Sequence, residues 1–422
     1  MRKSILSICL FFIVIATSAQ LTPSVGGISY TPISGIDYVF MFNGITSATE
    51  IAYTGPINLN TTISWSKFSN GSIRPYSSDQ ASILLDDTTG YILDVDGKKT
   101  KIWVIDYNKI LPRLNNISIA PTQSNECKSV DLLIDATVPA LTYQTPDGMT
   151  LPISRDFNIS YTTLSWKGTA WQDSTVNKPI TLPGTPKITV PVPAPYRNTT
   201  FTLTGDQYAK DLGIDLAVIT SDYTPPTVIC HETSVIPIRT ATNEDRRPVD
   251  AAQVSGSAPL DIQFFANANE PITHFFNWEI FKDNAKTSLI SNRHDNLTPY
   301  TFSEAGVYKV VVTASNDNPC SYSDTITVTV SESSIQVPNV FTPNGDGTND
   351  EFRIAYKSIL SFHCWVYNRW GRLVYEWTDP TKGWDGNING KEASPGAYFY
   401  IINAIGSDAK KYKLKGDINL LR

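Results

Sequence analysis

The sequence predicts an all-β protein: tandem immunoglobulin-like β-sandwiches followed by a small C-terminal β-sandwich. Three observations carry this. Short runs rich in Val, Ile, Thr and Tyr alternate apolar and polar residues, as at 102–107, 201–204, 308–313 and 325–330. Clusters of Pro, Gly, Asn and Asp separate these runs, which is the period-2 signature of strands joined by turns. Only 18% of the 422 residues are charged, below the roughly 25% of soluble domains. No long stretch repeats apolar residues at helical spacing, and 207–216 has room for one short helix.

The first nineteen residues read as a secretory signal peptide. Arg2 and Lys3 precede an apolar run, 5–15, and the small residues Ala16, Thr17, Ser18 and Ala19 follow. Cleavage is expected near Ala19–Gln20. The apolar run is too short to span a bilayer, and nothing downstream reaches the roughly 18 apolar residues of a membrane helix. No transmembrane segment is therefore expected once the signal is removed. Cys9 lies inside the apolar run, which argues against lipoprotein processing.

The strands divide into units. Thr61-Thr62-Ile63-Ser64-Trp65 recurs as Thr162-Thr163-Leu164-Ser165-Trp166, and Phe275-Phe276-Asn277-Trp278 has a similar outline. This spacing of roughly 100 residues is that of an immunoglobulin-like sandwich, in which one strand offers a Trp to the core. Each such burial would contribute about 2–3 kcal/mol. The expected units are 20–115, 116–228, 229–332 and 333–422, with a weakly periodic linker at 112–123, a Pro-Pro break at 223–226 and a Ser-rich linker at 331–334. The five prolines between Pro183 and Pro195 fit an edge strand or a turn, because Pro cannot donate to a central ladder.

The third unit has a Pro-led first strand (Gly256-Ser257-Ala258-Pro259-Leu260) and a central Trp278-Glu279-Ile280. Tyr300-Thr301-Phe302 and a returning Gly306-Val307-Tyr308 follow. It resembles the PKD domain, although the segment Phe281-Lys282-Asp283-Asn284 departs from that family's pattern. The resemblance implies a spacer or adhesion module.

The C-terminal segment opens with Pro338-Asn339-Val340-Phe341-Thr342-Pro343-Asn344-Gly345-Asp346-Gly347-Thr348-Asn349-Asp350. Asn368-Arg369-Trp370-Gly371, Trp384-Asp385-Gly386 and Pro395-Gly396-Ala397-Tyr398 follow in order. It resembles the gliding-motility-associated C-terminal domain, the type B sorting domain of Bacteroidota type IX secretion. The resemblance implies passage through the outer-membrane translocon, which becomes a partner, and display or release outside the cell. Physically, Gly, Asn and Asp supply the turns, while Trp370, Trp384 and the strand from Tyr398 to Tyr400 are expected to fill the core.

Charge and cysteine usage bound the remaining chemistry. The net charge of −6 excludes a strong electrostatic drive toward nucleic acid. From Ser333 onward, 11 Lys and Arg face 9 Asp and Glu, a net of +2 that leaves −8 for the rest. The lysines between Lys410 and Lys415 read as a solvated, aggregation-resistant edge or as a face toward the translocon or lipopolysaccharide. Asn344, Asp346 and Asp350 place oxygens at alternate positions, and calcium is one reading of them. The bidentate Glu of an EF-hand is missing, and a self-bonded Asx-turn cluster is the other reading. Outside the signal the cysteines are Cys127, Cys230, Cys320 and Cys364. Three full pairings are open. The positions of Cys230 and Cys320 near the two ends of one unit favour that pair, with free buried thiols as the alternative.

The motifs of zinc proteases, serine hydrolases, P-loop enzymes and CxxC oxidoreductases are absent. His231, His274, His294 and His363 are scattered, and Asp86, Asp87, Asp94 and Asp96 sit in turn contexts. No catalytic residue or cofactor is expected. Trp171, near Trp166 and Tyr161, is a candidate sugar-stacking residue. Asp87-Thr88-Thr89, Asp173-Ser174-Thr175 and Asp324-Thr325-Ile326 match the short O-glycosylation sequon that the phylum resemblance implies. The expected function is a secreted, non-enzymatic adhesin or binding stalk with a protein or glycan ligand, or alternatively a carbohydrate-binding or enzyme-accessory protein of the same export route.

Overall fold

The computed structural model describes residues 20–422 except 25, 31–32, 185, 246–253 and 284. The expected signal peptide lies outside the described residues. Strands dominate, and Gln207–Asp211 is the one α-helix among the described residues. It falls within the stretch that had room for one. Asp206 caps it by accepting from Ala209 N, which satisfies a donor that the helix cannot.

The N-terminal part is a sandwich. A six-stranded sheet runs in the order 27–30, 38–42, 98–106, 89–95, 63–69, 72–78. Its Tyr38–Phe42 and Lys98–Asp106 strands are parallel. A three-stranded sheet (21–23, 50–53, 82–84) covers one face. Phe40, Trp65 and Tyr91 are buried between the two sheets, and Trp65 Nε1 donates to Gln80 O at 2.9 Å. The other face carries Val39, Met41, Phe68 and Trp103, and it is buried too. The hairpin 142–152 and the helix residues Tyr208 and Ala209 pack there. A sheet covered on both faces loses strict alternation, which is why Thr89–Val95 begins with five consecutive buried residues.

The middle part packs the sheet 113–119, 129–137, 187–193 against the sheet 171–180, 157–166, 202–204, 217–219. Among the described residues, Lys187–Pro193 pairs with one neighbour, Ser129–Thr137. Its prolines therefore sit on an edge, where a missing N–H costs no ladder bond. Here the expected core tryptophan fails. On Phe157–Trp166 the buried parity runs through Phe157, Ile159, Tyr161 and Thr163. Trp166 has the opposite parity and points to the outer face. Tyr161 takes the large aromatic position instead, its OH donating to Pro193 O at 2.7 Å.

The third part packs the sheet 230–235, 260–268, 297–302 against the sheet 254–256, 321–330, 306–315, 275–281, 289–293. Trp278 is fully buried with Phe264, Phe302 and Tyr308, and its Nε1 donates to Asp295 O at 2.8 Å.

The cysteine pairing also differs from expectation. Cys127 bonds Cys320, while Cys230 and Cys364 are buried free thiols. Cys127 lies in the turn before Ser129–Thr137, and Cys320 in the hairpin between Gly306–Ser315 and Ser321–Val330. Side-by-side packing of the second and third parts brings these turns together, and the hydrophobic cluster of the third part includes Cys127 at its margin. Cys230 faces inward on its strand, where burial pushes the thiol up to about 12.

Candidate functional site

From Ser334 onward the chain builds a separate core behind a five-stranded sheet ordered 340–341, 411–420, 396–406, 359–367, 373–377. Phe341, Phe352, Trp384, Tyr398 and Ile402 fill it. Trp384 is the centre, with ring centroids 5.4 Å from Phe341 and 4.9 Å from Tyr398. Its Nε1 donates to Asn387 O at 2.8 Å. Backbone bonds between Phe352 and Trp384 run in both directions, tying the opening block to the Trp384-Asp385-Gly386 block. Gly386 has φ +75°, and a Cβ there would lie 2.9 Å from Pro343 Cγ. Only glycine fits that close approach. The motif blocks that are distant in sequence thus meet in one core.

Pro338 and Asn339 lead into the short parallel pairing of Val340 with Asn419, and Asn339 O accepts from Asn419 N at 3.0 Å. The strand beginning at Gly396, preceded by Pro395, sends Tyr398 inward, its OH bonded to Ser394 O at 2.8 Å. Trp370 departs from the expected core role, for it is 75% exposed. The Asn368 side chain accepts from Trp370 N and Arg372 N, both at 3.0 Å. Gly371 turns the chain with φ +76°, and this turn projects Trp370 outward beneath Arg369, 4.4 Å away. Trp377 occupies the core in its place.

The loop 342–350 closes on itself. Asp350 Oδ1 accepts from Asn344 N at 3.0 Å and Gly345 N at 2.7 Å, and Oδ2 from Gly347 N at 2.8 Å. Asp346 Oδ1 accepts from Thr348 N, and its Oδ2 from Asn344 Nδ2. Thr342 N donates to Asn349 O across the loop. The backbone N–H groups of Gly345, Gly347 and Asn344 hold the Asp350 carboxyl below its ordinary range. A calcium ion at Asn344, Asp346 and Asp350 would compete for oxygens already engaged by N–H donors. Among the described residues, no group of three or more His, Cys, Asp or Glu side chains is gathered as a metal site.

Several of the other candidate residues have structural partners. Lys67 pairs with Asp86 and Lys109 with Asp87, each at 2.7 Å. Asp96 Oδ1 accepts from Thr62 N. Trp166 and Trp171 lie at the junction of the second and third parts, edge to face with 5.3 Å between centroids and 64° between planes. Both contact the His231 ring at 5.2 Å, and Trp171 Nε1 donates to Asn267 O at 3.1 Å. Tyr161 is buried away from them, so the three do not form a coplanar platform.

That junction holds a polar group that sequence reading missed. His231 Nδ1 is 3.8 Å from Asp324 Oδ2, and Glu232 N donates to the same oxygen at 3.1 Å. Among the described residues, Glu232 Oε1 is buried without a hydrogen-bond partner. Burial, aided by the Asp324 charge, pushes its carboxyl up to about 7. The first junction has its own polar centre, Arg155 Nε on Asp206 Oδ2 at 2.5 Å, with both side chains buried. Tyr107 OH donates to the other Asp206 oxygen, and Arg155 Nη1 donates to Ile110 O and Pro139 O. No local sequence signal marks either group, because their partners come from distant segments.

Comparison with known proteins gives two family matches. Residues 335–420 match the CHU_C type IX secretion signal domain, and residues 119–221 match a fibronectin type III domain. No curated relative matches the chain in sequence. Among solved structures, a tetra-tandem repeat from the extending region of a large adhesion protein is 11% identical, covering 91% of this chain and 98% of that one at a TM-score of 0.22. A Ca2+-stabilized ice-binding adhesin of an Antarctic bacterium is 10% identical, covering 89% and 93% at 0.19. Dimeric latent PorU from Porphyromonas gingivalis is 9% identical, covering 76% and 35% at 0.17. These TM-scores fall far below those of a shared overall arrangement, and nothing about this chain follows from them. No helix among the described residues is long and apolar enough to cross a membrane. The family matches place a fibronectin type III-like domain at 119–221 and a type IX secretion signal domain at 335–420, and the signal domain directs the chain to the cell surface or extracellular space.

Proposed function

We propose that the exported chain is a non-enzymatic, adhesin-type binding stalk, with units at 20–115, 116–228 and 229–332 presenting surfaces to an extracellular protein or glycan. In this reading the third unit is a PKD-like spacer. The observation that carries the proposal is the closure of the junctions between successive units. The first is held by the buried Arg155–Asp206–Tyr107 group and a shared core. The Cys127–Cys320 bond and the buried Asn269, which donates to Tyr196 O and Thr227 O, hold the second. At the third, Ser257 Oγ accepts from Ser358 N and Ser358 Oγ accepts from Ala258 N, while Ser407 Oγ donates to Ser331 O. An array closed in this way transmits position and load, whereas catalysis needs a cleft with converging groups.

The test exposes the mature full-length protein to arrays of glycans and extracellular proteins and follows both retention and product release. Saturable retention with no product is expected. Turnover of any arrayed substrate would overturn the non-enzymatic reading.

A further inference from the structure

The outer face of the signal domain's five-stranded sheet carries an exposed apolar row where a solvated sheet face is ordinarily polar. On Gly396–Gly406 the outward residues include Phe399, Ile401 and Ile405, which are 47%, 42% and 43% exposed. On one side Ile401 registers with Trp365 and Phe399 with Tyr367. On the other, Ile405 registers with Lys411, Asn403 with Lys413 and Ile401 with Lys415. All three lysines are exposed, because the alternation of the strand sends Tyr412 and Leu414 inward. An apolar row therefore lies beside a basic row, with a 610 Å³ groove where Phe399, Ile401, Tyr367 and Lys415 meet.

Edge protection alone accounts for lysines on this strand, but not for the apolar row left open beside them. Exposed apolar patches rimmed by charge mark interaction surfaces. We infer that this face is the surface by which the type IX export machinery reads the signal domain, and that the reader is a protein presenting an apolar strip bordered by carboxylates on the lysine side. This rests on the assignment of residues 335–420 as the export signal. A protein fits better than an anionic bilayer, because Glu376 and Asp417 border the same face at its two sides. A uniformly negative surface would meet both carboxylates, whereas a patterned protein surface need not.

The test is made in the full-length chain in its native host. Lys411→Glu, Lys413→Glu and Lys415→Glu are combined, and the triple Arg variant keeps the charge. Phe399→Ser with Ile401→Ser removes the apolar row. The external fraction is expected to fall about tenfold or more in the Glu and Ser variants, the loss that one or two interface anchors produce. Folded protein should accumulate in the periplasm, with near-wild-type melting of the purified chain, and the Arg variant should be exported normally. Normal export of either folded defective-face variant would overturn the proposal, as would failure of the Arg variant. Binding of the purified wild type to lipopolysaccharide-containing vesicles, lost in the Glu variant, would reassign the face to lipid. A chain lacking 333–422 serves as reference, since its normal export would strike the signal assignment itself rather than this face.

Discussion

Trp370 and Trp384 belong to one domain and to neighbouring motif blocks, yet their surroundings set opposite energetic roles. Trp384 is fully buried among Phe341, Tyr375 and Tyr398. Trp384→Ala should therefore cost about 3–5 kcal/mol of domain stability. Trp370→Ala loses an exposed cation–π contact and should cost no more than about 1 kcal/mol. Urea unfolding of both variants, followed through the C-terminal transition, checks the contrast. The self-bonded loop around Asp350 makes a second prediction at this scale. Its carboxylate oxygens are already engaged by N–H groups, so calcium titration should leave the melting temperature unchanged. A rise that Asp350→Asn abolishes would show that the ion displaces those donors.

Among the elements, the strand Cys230–Val235 carries the most consequential chemistry outside the signal domain. Glu232 has its folded carboxyl raised to about 7 from an ordinary 4.5 by burial and by Asp324. The neutral acid is the favoured buried form. Its contribution to stability is complete below about 4.5 and is lost as pH rises through 7. Glu232→Gln should flatten stability against pH across that window and raise it above pH 7. Thermal melts at pH 4.5, 6 and 8 measure this, and an unaltered pH profile would show that Glu232 is not the titrating group. Strand parity also explains where sequence reading worked and where it slipped. Trp65 and Trp278 sit at inward positions of their strands, as the repeat suggested. Trp166 matches the repeat in sequence but not in register, because a single residue of offset exchanges the two faces of a strand. The turns of the signal domain were legible because Gly and Asx residues encode their geometry locally.

At the level of the whole molecule, the features invisible in sequence are those that join its parts. The helix Gln207–Asp211 and the hairpin 142–152 cover the N-terminal sheet. Cys127 reaches across 193 residues to Cys320. Arg155 and Asp206 meet under Tyr107. Each depends on how neighbouring units pack, and no local period, turn or spacing records that. The signal domain is the opposite case, since its blocks lie within one short segment and converge on one core. The central claim is that this domain carries the chain out of the cell. Fractionation of cells expressing the full chain and a chain lacking 333–422 tests it most directly, with intact-mass readout of each fraction. The full chain is expected at the surface or in the medium and the shortened chain folded in the periplasm. Equal external amounts of the two would contradict it.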